Sequence, residues 1–255
     1  MSNVVLITGA SSGLGEEFAF QLAAQGYSLL LTARRESRLA KIKSSILARY
    51  PAVSIYFFSA DLSQPESAQK MLNYVHLKSL SLIGLINNAG FGLRGAFADL
   101  SLAQQMDMLQ VNINALVRLT YLFIPLLTVQ KESFIINVSS TAAFQAGPNL
   151  AIYYASKAFV LSFSQALYEE LKEQGIAVSA LCPGATKTEF TKLAGMSEST
   201  LFKLRAMDKK PVVRAALANK GKAVVIPGLI NKICVLFVQL VPSALARKLA
   251  NLIQK

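Results

Sequence analysis

Tyr153 and Lys157 have the side-chain types and the spacing needed to move a proton. Four residues apart on a helix, they share one face. A free phenol, with a pKa of about 10, is poorly matched to proton transfer at neutral pH. A neighbouring ammonium favours the phenolate and lowers that value. Such a pair could protonate a developing alkoxide or deprotonate an alcohol. Tyr154 is adjacent, but only Tyr153 stands four residues before Lys157. Alone, this spacing is also that of an ordinary surface pair, so its weight depends on its surroundings. The first of these is Thr8-Gly9-Ala10-Ser11-Ser12-Gly13-Leu14-Gly15, which follows an apolar run and opens a helical pattern. Glycines there permit a tight turn and let the backbone approach a pyrophosphate, while the helix N-terminus supplies amide donors. The second is Leu31-Thr32-Ala33-Arg34-Arg35. It lacks the acid that would hold both hydroxyls of an adenosine ribose, and it offers guanidinium groups suited to a 2′-phosphate. Arg34 is the first candidate for that role; Arg35 could share it, and the sequence does not rank the two.

The elements that must position these residues follow from periodicity. Apolar runs at 4–8, 28–32, 53–58, 82–86, 134–138 and 176–181 predict buried strands, with a seventh at 224–226. Helical patterns fall at 14–24, 36–49, 65–77, 101–128 (bent near Pro125) and 152–173. Strands alternating with helices at this spacing predict an α/β protein. The expected fold is a Rossmann-type doubly wound parallel sheet with helices on both faces, plus a C-terminal helical extension. No repeat or linker divides the chain, so residues 1–255 read as one domain.

Several short motifs recur in order: Thr8-Gly-x-x-x-Gly-x-Gly, Asp61-Leu62, Asn87-Asn88-Ala89-Gly90, Asn112, Ser139-Ser140, Tyr153-x-x-x-Lys157 and Pro183-Gly184. Over about residues 3–190 the chain therefore resembles the short-chain dehydrogenase/reductase family. The resemblance implies an enzyme that interconverts a carbonyl and an alcohol by hydride transfer with a nicotinamide dinucleotide. It assigns Ser140 to the reacting oxygen, Asn112 to a water linking Lys157 to solvent, and Lys157 to the nicotinamide ribose as well as to Tyr153. Asn114 competes with Asn112, which the family spacing favours. Asp61 and Leu62 are assigned to the adenine and Asn88 to the adenine-side ribose, with Asn87, Ala89 and Gly90 shaping the turn beside it. Pro183, Gly184, Thr186 and Thr188 are assigned to the nicotinamide carboxamide. With Gly9, Ser11, Ser12, Gly13, Leu14 and Gly15 at the pyrophosphate and Arg34 and Arg35 beyond it, the expected cofactor is NADP(H). The family also suggests dimers or tetramers.

Hydrophobic residues make up 53% of the chain and charged residues 16%, which argues for heavy burial and against disorder. Cys182 and Cys234 fit neither a disulfide framework nor a metal-ligand spacing, pointing to a reducing, cytoplasmic setting. No metal site is expected, and His76 reads as a surface residue. The first strand starts too early for a signal peptide, and no uninterrupted apolar run reaches membrane-spanning length.

The net charge of +12 is concentrated at the end of the chain, where residues 201–255 hold 11 Lys/Arg against the single acid Asp208. Residues 190–210 are expected to cover the substrate. A strongly apolar stretch, 228–241, is broken by Pro242, with Ser243 as N-cap of a further helix. In that helix Leu245, Leu249 and Leu252 share a face, and Arg247, Lys248 and Lys255 can reach water. Three readings stay open for this part: solvated charge on a packed extension, contact with an anionic membrane surface, or docking of an acyl carrier or acyl-CoA. Nucleic acid is not expected, since no recognition motif accompanies the charge. The tail resembles those of reductases acting on long-chain acyl and steroid substrates, which points to an apolar substrate. A competing reading is a dinucleotide-binding sensor or membrane scaffold without catalysis; the set Asn112, Ser140, Tyr153 and Lys157 argues against it, since a sensor needs neither the serine nor the tyrosine.

Overall fold

The structure is a computed structural model that describes residues 3–127, 132–190 and 206–254. Seven parallel strands form one sheet: β1 (Val4–Thr8), β2 (Ser28–Ala33), β3 (Ile55–Ser59), β4 (Leu82–Asn87), β5 (Ser133–Val138), β6 (Ile176–Leu181) and β7 (Val224–Val225). Their spatial order is β3-β2-β1-β4-β5-β6-β7. β1, β4 and β5 are buried along their whole length, as the continuous apolar runs require of strands covered on both faces. One face packs against α1 (Gly13–Ala24), α2 (Glu36–Leu47) and α7 (Lys209–Ala218), around Phe18, Leu39, Ile46, Phe134 and Val212. The other packs against α3 (Ser67–Leu77), α5 (Leu116–Leu127) and α6 (Ala151–Glu170), around Met71, Leu119, Phe123 and Leu167. Strand order reverses between β1 and β4. Their carboxyl ends therefore diverge into a crevice, the usual ligand position in an open α/β sheet.

The long helix expected at 101–128 is interrupted elsewhere than at Pro125. α4 (Leu102–Leu109) passes into a π-helical segment, Gln110–Ala115, before α5 resumes, and Pro125 lies inside α5. One extra residue per turn rotates the two halves relative to each other, and such segments mark functional positions more often than chance. This helix, Leu102–Leu127, is long and apolar enough by length and composition to cross a membrane. Here it is built into the domain wall, with Met108, Leu116, Leu119, Phe123 and Leu127 buried.

Beyond β7 the chain forms α8 (Leu229–Leu240) and α9 (Ser243–Gln254). Ser243 does not cap α9 from outside. It is the first helical residue, the Pro242 carbonyl accepts from the Leu245 and Ala246 amides, and the Ser243 hydroxyl accepts from Arg247 Nη1 at 3.4 Å. Most of the expected cover at 190–210, and the side chains of Leu249, Leu252 and Lys255, lie outside the described residues.

Candidate active site

α6 begins just before Tyr153 and carries it in its first turn, with Lys157 one turn later. Both are almost fully buried, at 6% and 5% exposure. The Tyr153 ring packs against Phe190 and Tyr154, at centroid distances of 5.7 and 6.1 Å. Lys157 Nζ donates to the Val138 carbonyl at 2.8 Å and stands 5.9 Å from the Tyr153 ring centroid. Ser140 ends β5. Its hydroxyl accepts from the Ala142 amide at 3.1 Å and reaches the Pro183 carbonyl at 3.5 Å, so it is held between two loops. Ser139 turns the other way and donates to the Lys157 carbonyl at 2.7 Å, pinning α6 to β5.

Burial decides the proton affinities here. It pushes the Tyr153 phenol up to about 12, with a hydrogen bond to Ser140 pulling the other way. It also pushes the Lys157 ammonium down to about 8, opposed by the neighbouring Cys182. The depression of Tyr153 by Lys157 expected from spacing is therefore not what this geometry gives. The Lys157 ammonium is bound to the Val138 carbonyl, and burial is the largest influence on the Tyr153 phenol. Tyr153 keeps its proton at neutral pH.

Asn112 lies in the π-helical segment, 2% exposed, and its side chain is already committed. Oδ1 accepts from the Phe91 amide at 3.0 Å; Nδ2 donates to the Phe91 carbonyl at 3.0 Å and to Ser156 Oγ at 3.1 Å. The side chain is thus a clamp that fixes the loop after β4 against α6. Ser156 completes the clamp by donating to the Tyr153 carbonyl at 2.7 Å; the sequence offered no signal for it. Gly90 leaves room for this meeting, because a Cβ there would stand 2.9 Å from Asn112 Oδ1 and 3.5 Å from Lys157 Nζ. Asn114 bonds Gln110 on the exposed side. Asn87, expected to shape a turn, is instead a buried strand residue that donates to Thr120 and to Asn137.

The glycine loop joins β1 to α1, with Gly9 and Gly13 at φ +63° and +61°, conformations that only glycine adopts cheaply. Asn88, expected at the adenine-side ribose, also bridges strands: its Nδ2 donates to the Thr8 and Gly9 carbonyls at 2.8 and 3.2 Å, and Thr8 Oγ1 accepts from the Asn88 and Ala89 amides. The ends of β1 and β4 are thereby locked across the crevice. Asp61 caps its own turn through Ser63, and Leu62 is buried beside it. Of the two arginines, Arg35 is drawn over the loop. Its Nη2 donates to Ser11 Oγ and Ser12 Oγ at 3.0 and 3.1 Å, and its Nη1 pairs with Glu189 at 3.1 Å. Arg38 pairs with the same carboxylate, and the two hold Glu189 below the usual carboxylate range, Arg38 most strongly. Arg34 is exposed on the rim. Glu189 had no signal in the sequence, since its partners lie some 150 residues away.

These groups share one cavity of about 1040 Å³. It is lined by Gly9, Ser11, Ser12, Gly13, Leu14, Arg34 and Arg35 at one end, Asp61, Leu62, Asn88, Ala89 and Gly90 along its middle, and Ser140, Tyr153, Lys157, Pro183, Gly184, Thr186 and Thr188 at the other. Gly15 is buried beneath the loop, and Asn112 stands behind Gly90. Thr186 bonds the Gly184 carbonyl and bridges to Met207, so the turn after β6 is a rigid edge. The cavity continues between Phe144, Leu150 and Phe190 to α8 and α9, where Ile233, Phe237, Val241, Ala246 and Ala250 line it. Among the described residues no cluster of three or more His, Cys, Asp or Glu could hold a metal ion.

The sequence profile described as "short chain dehydrogenase" matches residues 3–198. The chain is 35% identical to a sulfoacetaldehyde reductase from Chromohalobacter salexigens over 193 residues, 75% of each chain. It is 32% identical to a very-long-chain 3-oxoacyl-CoA reductase from Coprinopsis cinerea over 220 residues, which cover 86% of this chain but only 63% of that relative. Among solved structures, a short-chain dehydrogenase from Sphingobium yanoikuyae in complex with NADPH superposes with a TM-score of 0.82 at 33% identity, covering 92% of both chains. With the crevice, the glycine loop and the buried tyrosine–lysine pair in place, the chain belongs to the short-chain dehydrogenase/reductase family of oxidoreductases.

Proposed function

We propose that this protein is an NADP(H)-dependent oxidoreductase that reduces a carbonyl on an apolar substrate, with Tyr153 as the proton donor. The observation that carries the reading is the convergence of Ser140, Tyr153 and Lys157 on one cavity that also exposes the glycine loop and Arg35. The cradle fits a dinucleotide: Gly9 and Gly13 present backbone at positive φ, and the cavity runs without a break to Tyr153. When bound, the nicotinamide would supply or accept the hydride.

The chain's own groups do the rest. Ser140 holds the substrate oxygen beside the Tyr153 hydroxyl. The phenol is protonated at neutral pH, and the alkoxide that develops during reduction is a stronger base, so Tyr153 can give its proton to the oxygen. Lys157 supplies a donor for a ribose hydroxyl and a positive charge near the phenolate that forms. Phe144, Leu150, Phe190, Ile233 and Phe237 line the cavity with apolar surface and favour an apolar group on the carbonyl. The proposal includes self-association as a dimer or tetramer, as the family membership implies.

In this proposal the 2′-phosphate is held by Arg34 at the rim and by Arg35, which would leave Glu189. NADPH is expected to support faster turnover than NADH. Replacing both arginines by Ala is expected to raise the KM for NADPH by about tenfold to a hundredfold, the scale of one or two charge-assisted hydrogen bonds, with little change for NADH. Initial rates with each dinucleotide test this; equal losses for both would overturn the assignment.

Lys157 gives a pH signature. With its ammonium pushed down to about 8, reductive kcat/KM should be level at neutral pH and fall above pH about 8 as the free enzyme loses that proton. In Lys157→Arg, whose cation does not deprotonate, activity is lower but the fall should vanish from that range. A fall unchanged in the variant would assign it to another group.

A further inference from the structure

α8 faces the wrong way for a core helix. Leu229, Ile230, Ile233, Leu236, Phe237 and Leu240 are each more than half exposed, while Val235 is its only buried residue. Their spacing (i, i+1, i+4, i+7, i+8, i+11) places them on one stripe, opposite Asn231 and Val235, which pack on the protein. Contiguous exposed apolar surface of this kind marks an interaction site.

Charge selects the occupant. Between Leu229 and Gln254 the sequence holds Lys232, Arg247 and Lys248 and no acidic residue. All three are exposed. Lys232 lies one turn before Leu236, at the edge of the stripe, and Arg247 and Lys248 follow on α9. An apolar stripe on a helix pair whose charged residues are all cations matches a surface of acyl chains beneath anionic headgroups. Continuity with the cavity adds to this: Ile230, Ile233 and Phe237 belong both to the stripe and to the cavity wall.

We propose that α8 and the start of α9 dock this protein on an anionic lipid bilayer, the stripe entering the headgroup–acyl boundary so that the substrate cavity opens at that surface. The docking stands without the hydride-transfer reading; only the use of the opening for substrate entry rests on it.

The test is co-sedimentation of the full chain with vesicles of phosphatidylcholine alone or mixed with phosphatidylserine. Binding to the mixed vesicles is expected to be at least about tenfold tighter and to weaken with salt. Leu229, Leu236 and Leu240 do not line the cavity, so L229Q/L236Q/L240Q is expected to lose at least about tenfold in vesicle binding. It should keep wild-type turnover of a water-soluble carbonyl. Replacing Lys232, Arg247 and Lys248 by Gln should abolish the preference for anionic vesicles. Absence of vesicle binding would overturn the proposal. So would sedimentation velocity showing a dimer that L229Q/L236Q/L240Q converts to monomer without any vesicle binding, since a second copy would then cover the stripe. Vesicle binding unaffected by either variant would place the docking surface elsewhere. Vesicle binding by a protein that consumes no NADPH would leave docking standing and sink the catalytic reading.

Discussion

Tyr153→Phe is expected to lower kcat/KM for NADPH-dependent carbonyl reduction by about 10²–10⁴-fold, the usual contribution of a positioned acid. The ring stays, so its packing against Phe190 and Tyr154 and the burial of this part of α6 are kept. Ser140 loses one partner but still accepts from the Ala142 amide and reaches the Pro183 carbonyl. The stability cost should therefore stay within about 1 kcal/mol. Dinucleotide affinity should be unchanged, because the phenol hydroxyl is reserved for the substrate oxygen. Turnover with a responsive carbonyl, thermal unfolding and dinucleotide titration together check this. Turnover equal to wild type would remove Tyr153 from the chemistry; a variant that loses dinucleotide binding as well would make its role structural.

Gly15→Ala should disable the cradle rather than the chemistry. Gly15 is buried in the first turn of α1, and an added Cβ would press into the Gly9 carbonyl and stand 2.6 Å from Asn88 Nδ2. Neither can yield easily: the first is backbone, and the second is tied to the Thr8 and Gly9 carbonyls. The loop must move, at a cost of about 1–3 kcal/mol for overpacking. For a chain of this size that is a Tm fall of about 2–4 °C per kcal/mol. Dinucleotide Kd is expected to rise at least about tenfold, since the amides no longer face the pyrophosphate. Gly26→Ala is the control: it has φ +86° and nothing within 4 Å of an added Cβ, so it should lose stability through backbone strain alone and keep dinucleotide affinity. Equal affinity in Gly15→Ala and wild type would mean that the loop does not hold the cofactor.

Some of this was legible in the chain itself. The apolar runs marked the strands because a strand buried on both faces has no polar positions to interrupt it. Tyr153 and Lys157 could be placed on one face because helical geometry is local. The glycine loop could be recognised because positive φ at Gly9 and Gly13 is a property of residue type. The same local reasoning failed where a second, distant part of the chain intervened. The irregularity in the helix after β4 sits at Asn112, where the side chain reaches Phe91 and Ser156, rather than at Pro125, where composition suggested it.

Arginine at the end of β2 was legible as a phosphate-binding type, but not which arginine would turn towards the loop. That depended on Ser11, Ser12 and a carboxylate at Glu189. The basic, apolar end of the chain announced itself in composition and left its purpose open; only the packing of Asn231 and Val235 inward shows that the leucines of α8 face out. Sequence by itself determined the sheet, the cradle and the pairing of Tyr153 with Lys157, because these follow from backbone preferences and helical spacing. Tertiary structure decided that burial raises the proton affinity of Tyr153, that Asn112 and Asn88 act as clamps, and that α8 exposes its apolar stripe, because desolvation and contacts between distant segments do not exist until the chain has folded.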